Sequence, residues 1–490
     1  MALFLFDLFY KLCNTYDKLK EGRTLMDERR VFIFNKIIKG LVIAFIVLIV
    51  LNVFLPDLFV VSLEEEELVN NIYRPQAIVR WMHGVAFLVL PICAYYDKPI
   101  FKKIAVYFCL PVAIIYACMF NEVLSYQTSE LGRGIYQIRF LSQSVKSFMI
   151  NPIFRGILLV LTYLTEIGSI VLMIIKDRSF LKFIDKKEIV RFFAILGAIF
   201  ISSVPSYVPQ YVIGSYTDFI LKPFTLVHLA VITFIVAEAV ILVKLFKNKP
   251  YEDKMILLII MAMTLFIQYN QMFSSLGELT IKRMPLQLCN IGSYLIIISL
   301  LTRNKKLFQF NLIINVAGGI IALTIMDVEG KGLFYLWNMH YLVEHINVVL
   351  VPLIALLLGV FRPLKLRDYL YFVLNFTLYW GIVLVLGTIF NGIYNITGND
   401  YFLANYLFMF MRSSTEQIVG FVGPWFDIQI ALGDFVLYPV VQNAVLFGFI
   451  LIGTIVFFVL YFSCKNITYC GPEEKIKETK QKIEEVKSEA

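Results

Sequence analysis

Polar residues divide the chain into a series of long apolar runs. They fall at about 37–56, 76–95, 104–120, 156–175, 190–209, 220–243, 255–273, 285–301, 307–325, 334–361, 369–391 and 436–463. A helix of about 20 apolar residues crosses about 30 Å of hydrocarbon, and within lipid a helix satisfies its own backbone hydrogen bonds. The pattern therefore predicts an all-α polytopic membrane protein of about twelve transmembrane helices. Residues 1–36 form a cytoplasmic segment that mixes charge with Phe, Leu and Tyr and shows no small-residue cleavage site, so no removable signal peptide is expected. Within it, the stretch from Leu3 to Tyr10 either lies on the inner membrane surface or packs as a short helix on the bundle. Residues 466–490 form a charged tail, nearly all polar from Glu473 to Ala490, expected to be solvated on the inner side.

The apolar pattern repeats. Asp218-Phe219-Ile220-Leu221-Lys222-Pro223 matches Asp434-Phe435-Val436-Leu437-Tyr438-Pro439, and Tyr163-Leu164-Thr165-Glu166 matches Tyr341-Leu342-Val343-Glu344. The run from Phe101 to Ala117 follows that from Phe308 to Leu323, and Asn52-Val53-Phe54 roughly follows Asn270 to Phe273. Each match pairs one span with the span six later, and the large changes of spacing fall in the outer connections. The expectation is two six-helix repeats, 37–250 and 251–465. An even number of spans gives both the same orientation, so an axis along the membrane normal should relate them.

Composition agrees with this class: 59% of the 490 residues are hydrophobic, and the mean hydropathy is +0.77. Lys and Arg outnumber Asp and Glu by 44 to 36. The excess tracks orientation rather than nucleic acid. Basic residues gather at Lys98, Lys102 and Lys103, at 176–191, at 244–254 and at Arg303, Lys305 and Lys306, whereas Glu64-Glu65-Glu66-Glu67 lies in the first outer connection. By the positive-inside rule both termini are cytoplasmic. Richness in Phe, Ile, Lys, Tyr and Asn points to an AT-rich bacterial genome, hence a bacterial plasma membrane. The seven cysteines form no CxxC or His-rich spacing, so neither a disulfide framework nor a metal site is expected. No nucleotide-binding motif is present, and no cofactor is implied.

Groups able to do chemistry concentrate between Lys282 and His345. Polar groups are costly inside a membrane, which makes them functional candidates. Cys289 lies about 10 Å below the outer charges Lys282 and Arg283 at the helical rise. His340 and His345 enter from the same side on the tenth span, with Trp337 placed as an interface anchor. A thiol becomes a useful nucleophile beside a base or a positive charge, and Cys289 with one of these histidines fits by depth. Depth favours His340, which stacks over Glu344 at i,i+4. Glu344 either orients an imidazole or is a buried carboxyl held by hydrogen bonds. Gln287 and Asn290 flank the thiol. On the outer side of the eleventh span, Asn391, Asn395, Asn399 and Tyr401 surround Gly392 and Gly398. The asparagine amides could serve as oxyanion donors, although the composition by itself favours a turn cluster closing a helix. A membrane cysteine is commonly an inert small hydrophobe, and His83 and His228 read as packing or pore-lining residues.

Met284-Pro285-Leu286-Gln287-Leu288-Cys289-Asn290, the histidine two spans later and Thr397-Gly398-Asn399-Asp400-Tyr401-Phe402-Leu403 resemble the YwaF-type integral membrane proteins over about 251–465. Through them, the chain resembles cysteine-dependent membrane phospholipid acyltransferases and, more distantly, the androgen-inducible intramembrane hydrolases. The resemblance implies that Cys289 is the nucleophile, that its histidine is His345 rather than His340, and that Asn399 and Tyr401 match an asparagine–tyrosine step, with Asp400 inserted between them. Aligned through Phe101 and Phe308, the place of Cys289 in the first repeat falls at Met82, or at His83 with one gap. The place of His345 falls at Ile167, and Pro205, Pro209 and Gln210 stand where the asparagine–glycine loop would be. The first repeat is thus expected to be a scaffold without the reactive pair. The function expected is a lipid acyltransferase or esterase acting on membrane lipids, with a lysolipid or lipoprotein as acyl acceptor. A twelve-helix secondary transporter and a non-catalytic membrane scaffold are the alternatives. The one-sided polar cluster favours the enzyme, because a carrier would place polar groups in both halves.

Overall fold

The computed structural model describes residues 26–54, 75–125, 142–202, 218–275, 284–324, 332–412 and 420–471, with single residues between them. The stretch from Leu3 to Tyr10, the Glu64–Glu67 run, Pro205, Pro209, Gln210, Lys282, Arg283, the tail from Glu473 and the side chain of Tyr401 lie outside the described residues. The chain divides into two compact units, Met1–Pro205 with Asn270–Leu279, and Ser206–Tyr269 with Thr280–Ala490.

Among the described residues, eight helices are long and apolar enough to cross a membrane, against the twelve expected. In the first unit these are α1 (Met26–Phe54), the pair α3 (Pro99–Ile104) and α4 (Leu110–Cys118), which a π-helical turn at Ala105–Cys109 joins into one rod, and α6 (Pro152–Lys176). Between and after them stand α2 (Pro75–Tyr96), the short α5 (Gln143–Met149) and α7 (Lys186–Ser202). The core of this unit is α2, whose residues Val85 to Leu90 are all buried. The α1 helix lies along both α2 and α6. At the turn between α2 and α3, Asp97 takes a positive φ of 49° and pairs with Lys102 and, at 3.4 Å, with Lys176. Lys103, almost fully buried, pairs with Glu188 of α7.

The second unit contains α8 (Leu226–Phe246), α9 (Tyr251–Ser275) up to Tyr269, α10 (Leu288–Thr302), α11 (Lys305–Thr324), α12 (Leu336–Leu357), α13 (Leu366–Thr397) and α14 (Pro439–Cys464). Two lengths matter for the site. The 32 residues of α13 run about 48 Å, well beyond the hydrocarbon, whereas the 15 residues of α10 run about 22 Å, short of crossing it. At one end of the unit, Asp368 caps α13 by accepting from the Lys365 backbone N–H at 2.8 Å and receives Gln309 Nε2 at 2.7 Å. Lys254 Nζ donates to the Leu358 carbonyl at the end of α12, and Cys470 N donates to the carbonyl of Gly359. Gly359 has φ +69° and sits so close to the Thr468 carbonyl that no side chain would fit.

At the other end, residues 398–412 and 420–438 form a folded segment, called the outer segment after the side on which the sequence places it. It includes 3-10 turns at Asp400–Phe402, Tyr406–Phe408 and Gly420–Asp427, and a hairpin of β1 (Ile430–Leu432) and β2 (Phe435–Leu437) closed by Gly433 at φ +64°. Part of it turns back into the bundle: Ala404, Tyr406, Leu407, Met409 and Phe410 are all buried.

Candidate active site at the start of a short helix

Pro285 lies in non-helical backbone ahead of α10, and Gln287, extended at φ −78° and ψ 151°, is the N-cap. Cys289 thus occupies the first helical turn, half-buried. The N–H groups of a first turn have no partner one turn back, and the helix dipole makes this end positive. Asn290, the next residue, is also half-buried.

Three helices close around this turn. One turn on from Cys289, Gly292 is pressed against Asn315 of α11; a Cβ there would lie 2.0 Å from Asn315 Oδ1. Asn315 Nδ2 donates to Asn311 Oδ1 at 2.7 Å, and both amides are buried. From α12, Glu344 is buried with Oε1 lacking a hydrogen-bond partner, while Oε2 lies 3.5 Å from His340 Nε2. Cys289 and Glu344 are within electrostatic range of each other. From α13, the Tyr379 hydroxyl donates to the Leu286 carbonyl at 2.5 Å and stands within electrostatic range of Cys289 and of Tyr406.

His345 is set differently. Its Nδ1 donates to the Tyr341 carbonyl at 2.7 Å, its ring lies against that of Tyr341 with centroids 4.1 Å apart, and Nε2 remains as the acceptor atom of the neutral ring. The Tyr341 hydroxyl donates to the Ala322 carbonyl at 2.8 Å. No hydrogen bond joins Cys289 to His340 or His345 among the described residues. The opposite, apolar side of α12, formed by Met339, Leu342, Val343 and Ile346, lines a groove of about 650 Å³ against α8.

The expected amide donors hold the outer segment. Gln287 Nε2 donates to the Asn405 carbonyl at 3.1 Å, and its Oε1 accepts from Leu407 N at 3.0 Å. Asn391 grips Ala404 in the same two-handed way, at 2.9 and 3.0 Å. Asn395 Nδ2 donates to the Asp434 carbonyl at 2.9 Å. Asn399 lies just past the helix end, its backbone N–H bonded to Thr397 Oγ1 at 3.2 Å. Leu407 and Phe408 both take positive φ values, 52° and 57°, a conformation costly for residues with side chains and retained where surroundings impose it.

Sequence reasoning passed over Asn311, Asn315 and Tyr379. The two amides show a readable signal, a polar pair at i,i+4 inside an apolar span. Tyr379 gives none, being one of 27 tyrosines. His228 is a structural histidine: its Nδ1 accepts from Phe224 N at 2.8 Å, and its Nε2 donates to the Leu323 carbonyl at 2.7 Å. Among the described residues, no group of three or more His, Cys, Asp or Glu is placed to hold a metal ion.

Comparison with protein families assigns the region that contains these residues. Residues 220–461 match the TMEM164 family. This finding corrects the YwaF-type resemblance, which rested on the Met284–Asn290 run and the asparagine–tyrosine step over nearly the same stretch. With that resemblance go its reasons for preferring His345 over His340 and for pairing Asn399 with Tyr401. The TMEM164 match includes Cys289, His340, His345, Glu344 and the outer segment, and it leaves Met1–Pro205 of the first unit outside. No curated protein and no solved structure matches the chain.

Proposed function

We propose that this membrane protein is a lipid acyltransferase with Cys289 as its nucleophile. The observation that carries the reading is the position of the thiol, half-buried in the first turn of a helix too short to cross the membrane, beside a buried carboxyl and two amides. Cys289 Sγ would give its proton to the Glu344–His340 pair and attack an ester carbonyl of a membrane lipid. First-turn N–H groups of α10 are suited to the developing oxyanion. Collapse of the tetrahedral intermediate would release the donor's alcohol, which takes the proton back and leaves a thioester. A lysolipid hydroxyl or a lipoprotein amine would then accept the acyl group and restore the thiol. Transfer is preferred to hydrolysis because the surrounding lipid limits water at the thioester. His340 is preferred to His345 because it shares the Glu344 carboxyl, which in turn lies in range of Cys289.

The test is lipid mass analysis after reconstituting the purified protein with phospholipid and lysolipid. Acyl movement that disappears in Cys289→Ala supports the enzyme and separates transferase from esterase. Equal lipid profiles for folded wild type and variant reject it.

A twelve-helix carrier made of two parallel six-helix repeats is the second reading, and one observation favours it. In the first unit, His83 Nε2 and Glu166 Oε2 form a buried pair at 2.5 Å, and Glu166 stands in the sequence match to Glu344. Polar groups are therefore not confined to one half. Duplication draws support from the tyrosines of the same match: the Tyr163 hydroxyl meets the Tyr116 carbonyl at 3.5 Å, as Tyr341 meets Ala322.

A further inference from the structure

The first unit was expected to be inert scaffold, yet it contains a built polar site. His83 of α2 is 4% exposed and Glu166 of α6 is 0% exposed. The imidazole is enclosed by rings: Tyr116 of α4 stacks on it with centroids 4.6 Å apart, and Phe45 of α1 meets it edge-on at 6.1 Å. Glu166 Oε1 is sealed from solvent and has no hydrogen-bond partner, and His83 Nδ1 makes no hydrogen bond among the described residues.

In the neutral ring, Nε2–H donates to the Glu166 carboxylate and Nδ1 is a bare acceptor. The pair then carries one negative charge and two unsatisfied acceptor atoms in an apolar cage. Buried acceptors demand a donor and a buried charge demands a counter-charge. A proton on His83 Nδ1 supplies the counter-charge and removes one of the two acceptors, while Glu166 Oε1 stays unbonded.

Among the described residues, ionisable neighbours do not supply the counter-charge; the side chain of Arg80, three residues before His83, lies outside them. Facing the pair are the phenols of Tyr116 and Tyr163, and Cys109, which lies within electrostatic range of Glu166 on the π-helical turn. From α1 the neighbour is the Phe45 ring. Lys102 and Lys103 of α3 and Glu188 of α7 gather beyond the end of α2 at Tyr96, about 20 Å along the helix from His83. Lys39 of α1 lies over Tyr95 at that same end. Arg155 precedes Glu166 by three turns, about 16 Å, and its Nε donates to the Met149 carbonyl.

We infer that His83 and Glu166 form a proton-binding site of the first unit. The proton enters on His83 Nδ1 and converts the pair from imidazole–carboxylate to imidazolium–carboxylate; its departure restores the negative charge. Tyr116 covers the ring, and the wide π-helical turn beside Glu166 is a backbone irregularity of the kind found at functional sites. This inference is independent of Cys289 and holds for an enzyme or a carrier.

The chain has four histidines, so nitrogen-15 histidine spectra of the full-length protein in lipid nanodiscs read each one. His83→Gln assigns the signal; if that variant does not fold, successive His228→Gln, His340→Gln and His345→Gln variants assign it by elimination. The expected wild-type result is that His83 passes between two protonated nitrogens and one within the pH range of the folded protein. Glu166→Gln should move that midpoint down by about one pH unit or more, a loss of proton affinity of about tenfold or more. A wild-type His83 signal that keeps one protonation state throughout overturns the inference, as does a midpoint unmoved by Glu166→Gln. A signal that responds to sodium at fixed pH, and not to pH, assigns the site to a metal cation instead and also overturns it.

Discussion

Gln287 stands two residues before Cys289, and both polar ends of its side chain are bonded to the backbone of the outer segment. Removing them in Gln287→Ala strands a carbonyl and an N–H inside the protein. The expected cost is about 2–4 kcal/mol, read as a lower unfolding midpoint in detergent. Gln287→Glu keeps the acceptor, loses the donor and should fall between. If Gln287→Ala unfolds at the wild-type midpoint, the clamp contributes nothing. The sequence pointed to Gln287, Asn391 and Asn395 because amides are conspicuous among apolar residues. It did not distinguish an amide facing a substrate from one facing another loop, because both uses need the same group. Glu344 was legible for the same reason. Its link to Cys289 was not, since contact between α10 and α12 depends on how Gly292 and Gly319 let the helices approach.

Close approach of elements decides two further outcomes. In Gly292→Ala the new methyl collides with Asn315 Oδ1 at the buried face of α11, so α10 must move or the Asn315–Asn311 hydrogen bond must break. A loss of about 1–3 kcal/mol is expected, and an unchanged unfolding midpoint would contradict the packing. Gly387 of α13 lies against the ring of Phe410, where a Cβ would come within 2.4 Å. Gly387→Ala should lift the inserted part of the outer segment and expose Cys289 to a membrane-permeant maleimide. Labelling of Cys289, followed by peptide mass analysis, is expected to rise several-fold, and equal labelling would separate the segment from access to the thiol. Helix positions were legible from apolar runs, since lipid leaves the backbone little choice. The run at 285–301 was read as a full span because hydropathy does not register a helix that starts late behind a proline. The inserted loop also escaped the pattern, because its buried residues, Ala404, Tyr406, Leu407, Met409 and Phe410, are irregularly spaced and follow no helical or strand period.

For the whole molecule, acid stability follows from the turn between α2 and α3. Partial burial raises the pKa of Asp97, but the hydrogen bond and charge of Lys102, with Lys176 behind it, outweigh this and hold it below the ordinary carboxylate value. A carboxylate depressed in the folded state adds stability that is present above its unfolded pKa, about 3.9, and is lost as pH falls through the folded one. Asp97→Asn should therefore lower the unfolding midpoint at pH 7, with the gap to wild type closing below about pH 4. A gap that persists in acid would assign the effect to shape rather than charge. The short α10 has a consequence for the surrounding bilayer. A full-length helix anchors both leaflets, whereas one about 8 Å shorter than the hydrocarbon leaves a step that lipids must fill by tilting or thinning. Thin membranes would bring the headgroup plane down to Cys289 and thick ones would bury it under acyl chains, so the depth of the thiol would vary with the thickness of the surrounding bilayer.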